Sequence, residues 1–191
     1  NDIKRVVAWS SVSHVGLIAA GLFTMSEAGL QGGFVQMFNH GINVVGLFLV
    51  ADILEKRLKT RDITTMGGIA SKAPIFALLS FIIVCGAMAV PLTNGFPGEL
   101  LLLKSVFTYN AWLGAFAGLT IIFCAVYMLR IFQLVMFGGT KPSTEHFEEV
   151  NSIEGVSLGI VAFFVVILGI FPQSILDMSG SAVKSFLGFV G

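Results

Sequence analysis

One carboxylate, Glu99, lies deep in an apolar stretch of the sequence, directly after Gly98. A carboxylate in this position has two interpretations. It satisfies the free N–H groups in the first turn of a helix, or it takes up and releases protons, because burial favours its neutral form while a helix N-terminus favours its charged form. The two roles are compatible, and we expect proton exchange at Glu99.

A polar stripe runs along an earlier apolar stretch, at the spacing i, i+3, i+4 and i+7 that defines one face of an α-helix. Its members are Gln36, Asn39, His40 and Asn43. Lipid offers such side chains no partner, so they must face protein or water. Two interpretations stay open: a hydrated track in which His40 carries protons, or contacts between helices in which His40 stays neutral. We expect all four to face the helix break described below.

Three further polar residues lie in or beside apolar stretches. Lys104 follows Glu99 by five residues, about 140° around a helix, so it either snorkels towards the membrane surface or joins the polar path. His14 shares a helix face with Ser10 and belongs either to a packed polar patch or to the path. Lys4 has the position of an anchor at the inner membrane surface.

The composition favours a membrane protein. The 191 residues are 55% hydrophobic and 12% charged, with 11 basic and 11 acidic side chains. Soluble domains carry about 25% charged residues, so soluble and disordered classes are excluded. The balanced charge offers no basic field for nucleic acid. Cys85 and Cys124 stand in apolar stretches and are interpreted as small core residues.

Apolar stretches of about 20 residues predict the membrane-spanning helices. The uninterrupted ones cover residues 6–25, 30–53, 111–137 and 153–171. A terminal segment over residues 175–190 is predicted to be a helix at the outer membrane surface. Because the sequence begins at Asn1, we expect the chain to be part of a longer protein.

The stretch from Pro74 to Tyr109 contains a segment that cannot continue a helix. The interrupting residues are Pro91, Asn94, Gly95, Pro97 and Gly98. The stretch is either two crossings or one discontinuous crossing over residues 74–91 and 98–109. Lys and Arg gather on one side only for a single crossing, so the positive-inside rule predicts an all-α fold of five crossings with the third broken, Asn1 inside and Gly191 outside. A break at membrane depth indicates a functional site.

Familiar catalytic motifs do not occur in this sequence: it has no phosphate-binding loop, zinc motif or serine elbow. We therefore expect no cofactor, metal or redox chemistry in this chain. The residues alone predict a five-crossing membrane protein that moves protons or small cations.

Four motifs, in order, resemble the antiporter-like subunits of respiratory complex I. They are D-I-K-R-V-V-A-W-S-S-V-S-H-V-G from Asp2, Q-M-F-N-H-G from Gln36 with a following G-L-F, T-R-D from Thr60 with a following M-G-G, and P-L-T-N-G-F-P-G-E from Pro91. The resemblance implies the last five of fourteen helices. Related L- and N-type subunits and Mrp antiporters carry Lys at the position of Glu99, which points to the M type (chain 4 in mitochondria).

The resemblance also implies roles for individual residues. Glu99 matches the terminal proton-exchanging residue of an outer half-channel. His40 and His14 match central histidines of helices eleven and ten, and Lys4 matches an inner lysine. Lys104 departs from the apolar residue usual in relatives and is kept as a candidate. The coupling Glu and Lys of the family would precede Asn1, so we expect this chain to hold only the exit half of the channel.

The implied function is proton translocation within NADH:quinone oxidoreductase, whose NADH, FMN, iron–sulfur clusters and quinone would bind other subunits. The implied partners are neighbouring L- and N-type subunits and the lipid bilayer, in a bacterial cell (inner) membrane rather than the mitochondrial inner membrane. Three alternatives stay open: a subunit of a related hydrogenase or formate-hydrogen lyase complex, an Mrp-type cation/proton antiporter, or a scaffold whose polar stripe only joins helices.

Overall fold

The computed structural model describes residues 1–190 and is built of helices. Its seven α-helices are α1 (Ile3–Phe23), α2 (Glu27–Leu58), α3 (Pro74–Ala87), α4 (Gly95–Tyr109), α5 (Ala111–Met136), α6 (Ser152–Ile170) and α7 (Gln173–Val190). Two short 3₁₀ turns, Ile63–Thr65 and Ile69–Ser71, lie between α2 and α3. Helices α1, α2, α5 and α6 are long and apolar enough to cross a membrane. The predicted all-α membrane fold is confirmed.

Helices α3 and α4 together cross the bundle once. At one end of the bundle, the backbone N–H of Gly68, just before α3, donates to the carbonyl of Phe137 at the end of α5. At the other end, Tyr109 at the end of α4 lines the same cavity as Thr24 at the end of α1. Because α3 begins at one end and α4 finishes at the other, the third crossing is discontinuous, as the sequence predicts.

The break itself is shifted from its predicted position. Helix α3 ends at Ala87 and α4 begins at Gly95, so Gly95, Pro97 and Gly98 belong to the helix and not to the break. A proline in the first turn costs little, because the first four N–H groups of a helix have no partner inside the helix. Within the break, Ala89 and Leu92 have φ of 52° and 73°, a left-handed conformation that strains residues other than glycine.

Neighbouring helices hold the break in place. The backbone N–H of Asn94 donates to the carbonyl of Val165 on α6 over 2.8 Å. The side-chain amide of Asn39 on α2 donates to the carbonyl of Asn94 over 2.7 Å. Backbone groups freed by the break therefore find partners inside the protein, which the hydrocarbon core of a membrane requires.

Helix α2 is longer than predicted, because charged residues extend it at one end. Glu55 lies within 2.6 Å of Lys4 and 2.7 Å of Arg61, and Arg57 lies 2.5 Å from Glu154 at the start of α6. These pairs tie α1, α2, α6 and the following loop together. The helix thus continues past its apolar segment to Leu58.

The terminal helix α7 packs against the start of α2. The side chain of Gln31 on α2 donates to the carbonyl of Leu176 over 3.0 Å, and Ile175, Ser179 and Val183 form the buried face of α7. The predicted helix over 175–190 is therefore present and begins at Gln173. Residue 191, whose side of the membrane was predicted, lies outside the described residues.

Candidate functional site: a buried Glu–His pair beside the helix break

Glu99 is buried, with 2% of its surface exposed, in the second turn of α4. Its Oε1 atom lies 2.8 Å from Nδ1 of His14 on α1 and accepts a hydrogen bond of 3.1 Å from Nε2 of Gln36 on α2. The predicted role as a first-turn cap is wrong, because α4 begins at Gly95 and places Glu99 beyond the free N–H groups. Its contacts are to side chains of two other helices.

His14 is the centre of the polar cluster. Its Nδ1 faces Glu99, and its Nε2 lies 3.4 Å from the Sγ of Cys124 on α5. The ring centroids of His14 and His40 are 5.2 Å apart. The sequence offered a packed patch or a path for His14, and the structure places it in direct contact with Glu99. An imidazole in this position can exchange a proton with a carboxylate without large movement.

His40 faces α1 and not the helix break, so the expectation that the whole stripe faces the break is wrong at this residue. Its Nε2 lies 2.8 Å from the hydroxyl of Ser11 on α1. The side chain is half-buried, and its ring is directed towards His14. The contacts of the described residues therefore connect His40 to Glu99 through the ring of His14.

The other three members of the stripe face the break or the parts of α3 and α4 that flank it. Gln36 contacts Glu99, and Asn39 exchanges two hydrogen bonds with Asn94, of 2.7 Å from its own amide and 3.3 Å from that of Asn94. Asn43 is buried and packs closely against Gly86 of α3, because a Cβ atom added to Gly86 would lie 2.8 Å from the Oδ1 atom of Asn43. The interpretation as contacts between helices fits Asn39, while Gln36 belongs to the Glu99 cluster.

Two candidate residues lie away from this cluster. Lys4 contacts Glu55 at 2.6 Å and Asp52 at 3.4 Å, about 15 Å along α1 from His14. Lys104 is on the exposed side of α4 and lines a cavity with Thr24 at the end of α1. The structure thus shows Lys4 as an anchor between α1 and α2, and it does not bring Lys104 to Glu99.

Sequence reasoning missed the contribution of α5. The hydroxyl of Tyr127 donates to Ser10 over 2.8 Å and lies 3.2 Å from the Sγ of Cys124. Together these residues surround the Nε2 side of His14. Cys124 and Tyr127 are one helical turn apart, a spacing that signals a shared face, but both stand among apolar residues, and Cys124 was interpreted as a core residue.

Several buried oxygen atoms near the pair have no protein partner among the described residues. These are Oε2 of Glu99, Oε1 of Gln36 and the Oδ1 atoms of Asn39, Asn43 and Asn94. All are acceptors, and they line the interface between α2 and the break. Buried acceptors at membrane depth are costly unless a donor reaches them. The site is therefore suited to a proton-bearing group or to water.

Comparison with known proteins identifies the family. Residues 1–125, of the chain's 191, match the family model described as NADH:quinone oxidoreductase/Mrp antiporter, TM. The chain belongs to this family. The antiporter-like resemblance found in the motifs is thereby confirmed, and the family match includes α1 to α4 and with them the Glu99–His14 pair.

Individual proteins are similar to most of the chain. NADH-quinone oxidoreductase subunit M of Rickettsia conorii is 36% identical over 187 residues, which is 97% of this chain and 38% of that protein. A chain of respiratory complex I from Thermus thermophilus is 28% identical, with a TM-score of 0.89 over 100% of this chain and 40% of that one.

A chain of an archaeal membrane-bound sulfane sulfur reductase is 26% identical, with a TM-score of 0.83, over 89% of this chain and 28% of that one. The chain thus spans 38% of the length of its R. conorii relative and less of the archaeal chain. Its structural neighbours are parts of multi-subunit membrane complexes.

Proposed function

We propose that this chain is the exit-side part of a proton-translocating M-type subunit of a bacterial NADH:quinone oxidoreductase. The observation that carries the proposal is the buried contact between Glu99 Oε1 and His14 Nδ1, 2.8 Å apart beside a break in a membrane helix. Similarity to subunit M of R. conorii supports the M type. Glu at the break, where Mrp antiporters carry Lys, disfavours the cation/proton antiporter.

In this proposal a proton moves from His14 to Glu99 and then leaves towards the outer surface. His40 supplies the proton to His14, since their rings are neighbours and His40 itself does not touch Glu99. Gln36 stabilises the carboxylate form of Glu99 by donating to Oε1. Each transfer is then between groups in contact or one water apart, which general acid–base chemistry requires.

Other subunits of the complex would carry out the steps that this chain does not. Redox chemistry with NADH, FMN, iron–sulfur clusters and quinone would take place in other subunits, and neighbouring L- and N-type subunits would flank this one in a bacterial cell membrane. A respiratory membrane complex other than complex I is the second candidate, supported by the similarity to the archaeal sulfane sulfur reductase chain. Either complex would use the same Glu–His pair to move protons.

The test uses the full-length subunit in its assembled complex. We expect Glu99→Gln to reduce proton pumping sharply and to lower coupled turnover, because the amide cannot exchange a proton. Glu99→Asp keeps a carboxyl and is expected to do less harm. Pumping and NADH oxidation are measured together in membrane vesicles.

Glu145→Gln, in the exposed loop between α5 and α6, is the matched control. Native gels establish that each variant assembles. Assembled Glu99→Gln complex that pumps with the normal rate and proton-to-electron ratio would show that Glu99 only holds helices together, and the proposal would fail.

A further inference from the structure

The Nε2 side of His14 is closed by a thiol. Cys124 on α5 has 2% of its surface exposed, and its Sγ lies 3.4 Å from His14 Nε2. The same sulfur lies 3.7 Å from the backbone carbonyl of Ala87, the last residue of α3. The hydroxyl of Tyr127 approaches it from a third direction at 3.2 Å. The thiol of Cys124 can therefore donate to either of two acceptors, the His14 ring on α1 or the Ala87 carbonyl on α3.

The two ring nitrogens of His14 require different hydrogen-bond partners. Nδ1 faces the Glu99 carboxyl, so a neutral ring that donates to the carboxylate carries its hydrogen on Nδ1 and leaves Nε2 as an acceptor. A protonated ring carries hydrogens on both nitrogens and needs an acceptor at Nε2. A group that serves both states must therefore donate in one and accept in the other.

We propose that Cys124 is the positioning residue that allows His14 to hold and release a proton while staying in contact with Glu99. When the ring is neutral with its hydrogen on Nδ1, the S–H group donates to Nε2. When the ring is protonated, Nε2–H donates to the sulfur, and the S–H group turns to the carbonyl of Ala87. The incoming proton binds Nε2 as the S–H group turns away, and the proton that leaves for Glu99 Oε1 is the one on Nδ1. The ring is then neutral with its hydrogen on Nε2, which still donates to the sulfur, while the protonated carboxyl donates to Nδ1. No bond to sulfur forms or breaks, so the thiol keeps its own hydrogen throughout.

Tyr127 and Ser10 hold the thiol in place. The Tyr127 hydroxyl bridges Ser10 on α1 and Cys124 on its own helix, at 2.8 Å and 3.2 Å. This bridge fixes α5 against α1 at the level of His14. The inference rests on the proposed function, because the need for two ring states arises only if His14 exchanges protons.

Replacement of the thiol should destabilise the protonated form of His14 more than the neutral form, because hydrogen bonds to charged groups are stronger than those to neutral groups. For Cys124→Ala in the full-length subunit of the assembled complex, we expect the alkaline limit of proton pumping to move to lower pH, by on the order of one pH unit. Cys124→Val, which fills the site with an apolar side chain instead of leaving a gap, should show the same displacement, and Cys124→Ser should lie closer to the wild type.

The matched control is Cys85→Ala on α3, where the side chain is half-buried and the described residues make no hydrogen bond to its sulfur. The measured quantity is the pH profile of protons pumped per NADH oxidised, which a loss of packing alone would not displace. Profiles of Cys124→Ala and Cys124→Val that match Cys85→Ala would overturn the inference. A Cys124→Ser profile identical to that of Cys124→Val would also overturn it, because the hydroxyl can donate and accept.

Glu99→Gln is measured in parallel so that the two failures are distinguished. If Glu99→Gln stops pumping and the Cys124 variants keep the wild-type profile, only the role of Cys124 is refuted. If Glu99→Gln pumps normally, the proposed function itself is refuted.

Discussion

Gly98→Ala should separate helices α2 and α4 at the site and weaken proton pumping. A Cβ added to Gly98 would lie 2.5 Å from Oε1 of Gln36, 2.9 Å from its Cβ and 3.0 Å from its Cα. The side-chain oxygen can rotate away, but the Cα cannot. The Gln36 Cβ is also fixed by the backbone and is the closer of the two, at 2.9 Å. Ordinary contacts begin at 3.4 Å, so the two helices must move apart by about 0.5 Å, the difference between 3.4 Å and 2.9 Å.

That movement is large enough to matter at Glu99. The Gln36–Glu99 hydrogen bond would lengthen from 3.1 Å to about 3.6 Å, outside the usual range for N–H···O bonds. Overpacking of this kind costs about 1–3 kcal/mol, a roughly 5- to 150-fold change in an equilibrium. We therefore expect the Gln36–Glu99 hydrogen bond to form in fewer complexes, and the proton-to-electron ratio to be lower.

The assay compares Gly98→Ala with Gly41→Ala in the full-length subunit. Gly41 is exposed on α2, and a Cβ there meets nothing within 4 Å. Protons pumped per NADH oxidised are measured in vesicles, and resistance of the assembled complex to stepwise heating is followed on native gels. Gly98→Ala complexes that pump and resist heat as well as Gly41→Ala complexes would refute the close approach of α2 and α4.

Two further predictions concern a loop carboxylate and the orientation of the chain in the membrane. Burial raises the pKa of Glu149, but hydrogen bonds from the backbone N–H groups of Val150, Ile75 and Phe76 outweigh it and hold the pKa below its ordinary value of 4.5. Glu149→Gln should therefore lower the free energy of unfolding by roughly 1 kcal/mol at neutral pH. This difference from wild type disappears as the pH falls through that lowered pKa. An effect equal to that of exposed Glu148→Gln, or an effect constant with pH, would contradict this prediction. An impermeant thiol reagent added outside should miss Lys59→Cys and label Gly188→Cys, and the reverse pattern would contradict the orientation.

The sequence predicts the broken crossing because two prolines, two glycines and an asparagine fall within nine residues, and it predicts Glu99 because a carboxylate is rare in an apolar stretch. It misplaces the start of α4, since Pro97 is tolerated in a first helical turn but resembles a helix breaker when only the sequence is considered. The extension of α2 to Leu58 depends on charge pairs with distant residues. Helical periodicity does not reveal such pairs.

Contacts between helices are the least predictable part of the site. Residues 14 and 99 are 85 positions apart in the chain, and their meeting depends on how α1 packs against α4. The same packing turns His40 towards Ser11 instead of the break. Cys124 has the surroundings of a core residue in the sequence, and only its distance to His14 gives it a role in proton exchange.

The most direct test of the Glu99–His14 pair is infrared difference spectroscopy of the complete complex during turnover. The carbonyl stretch of a protonated carboxyl is separate from that of a carboxylate, so proton exchange at Glu99 produces a difference band. The proposed mechanism predicts a turnover-dependent band that Glu99→Gln abolishes and Glu145→Gln leaves unchanged. If every carboxyl band of the wild-type difference spectrum is still present in the Glu99→Gln spectrum, proton exchange at this residue is contradicted.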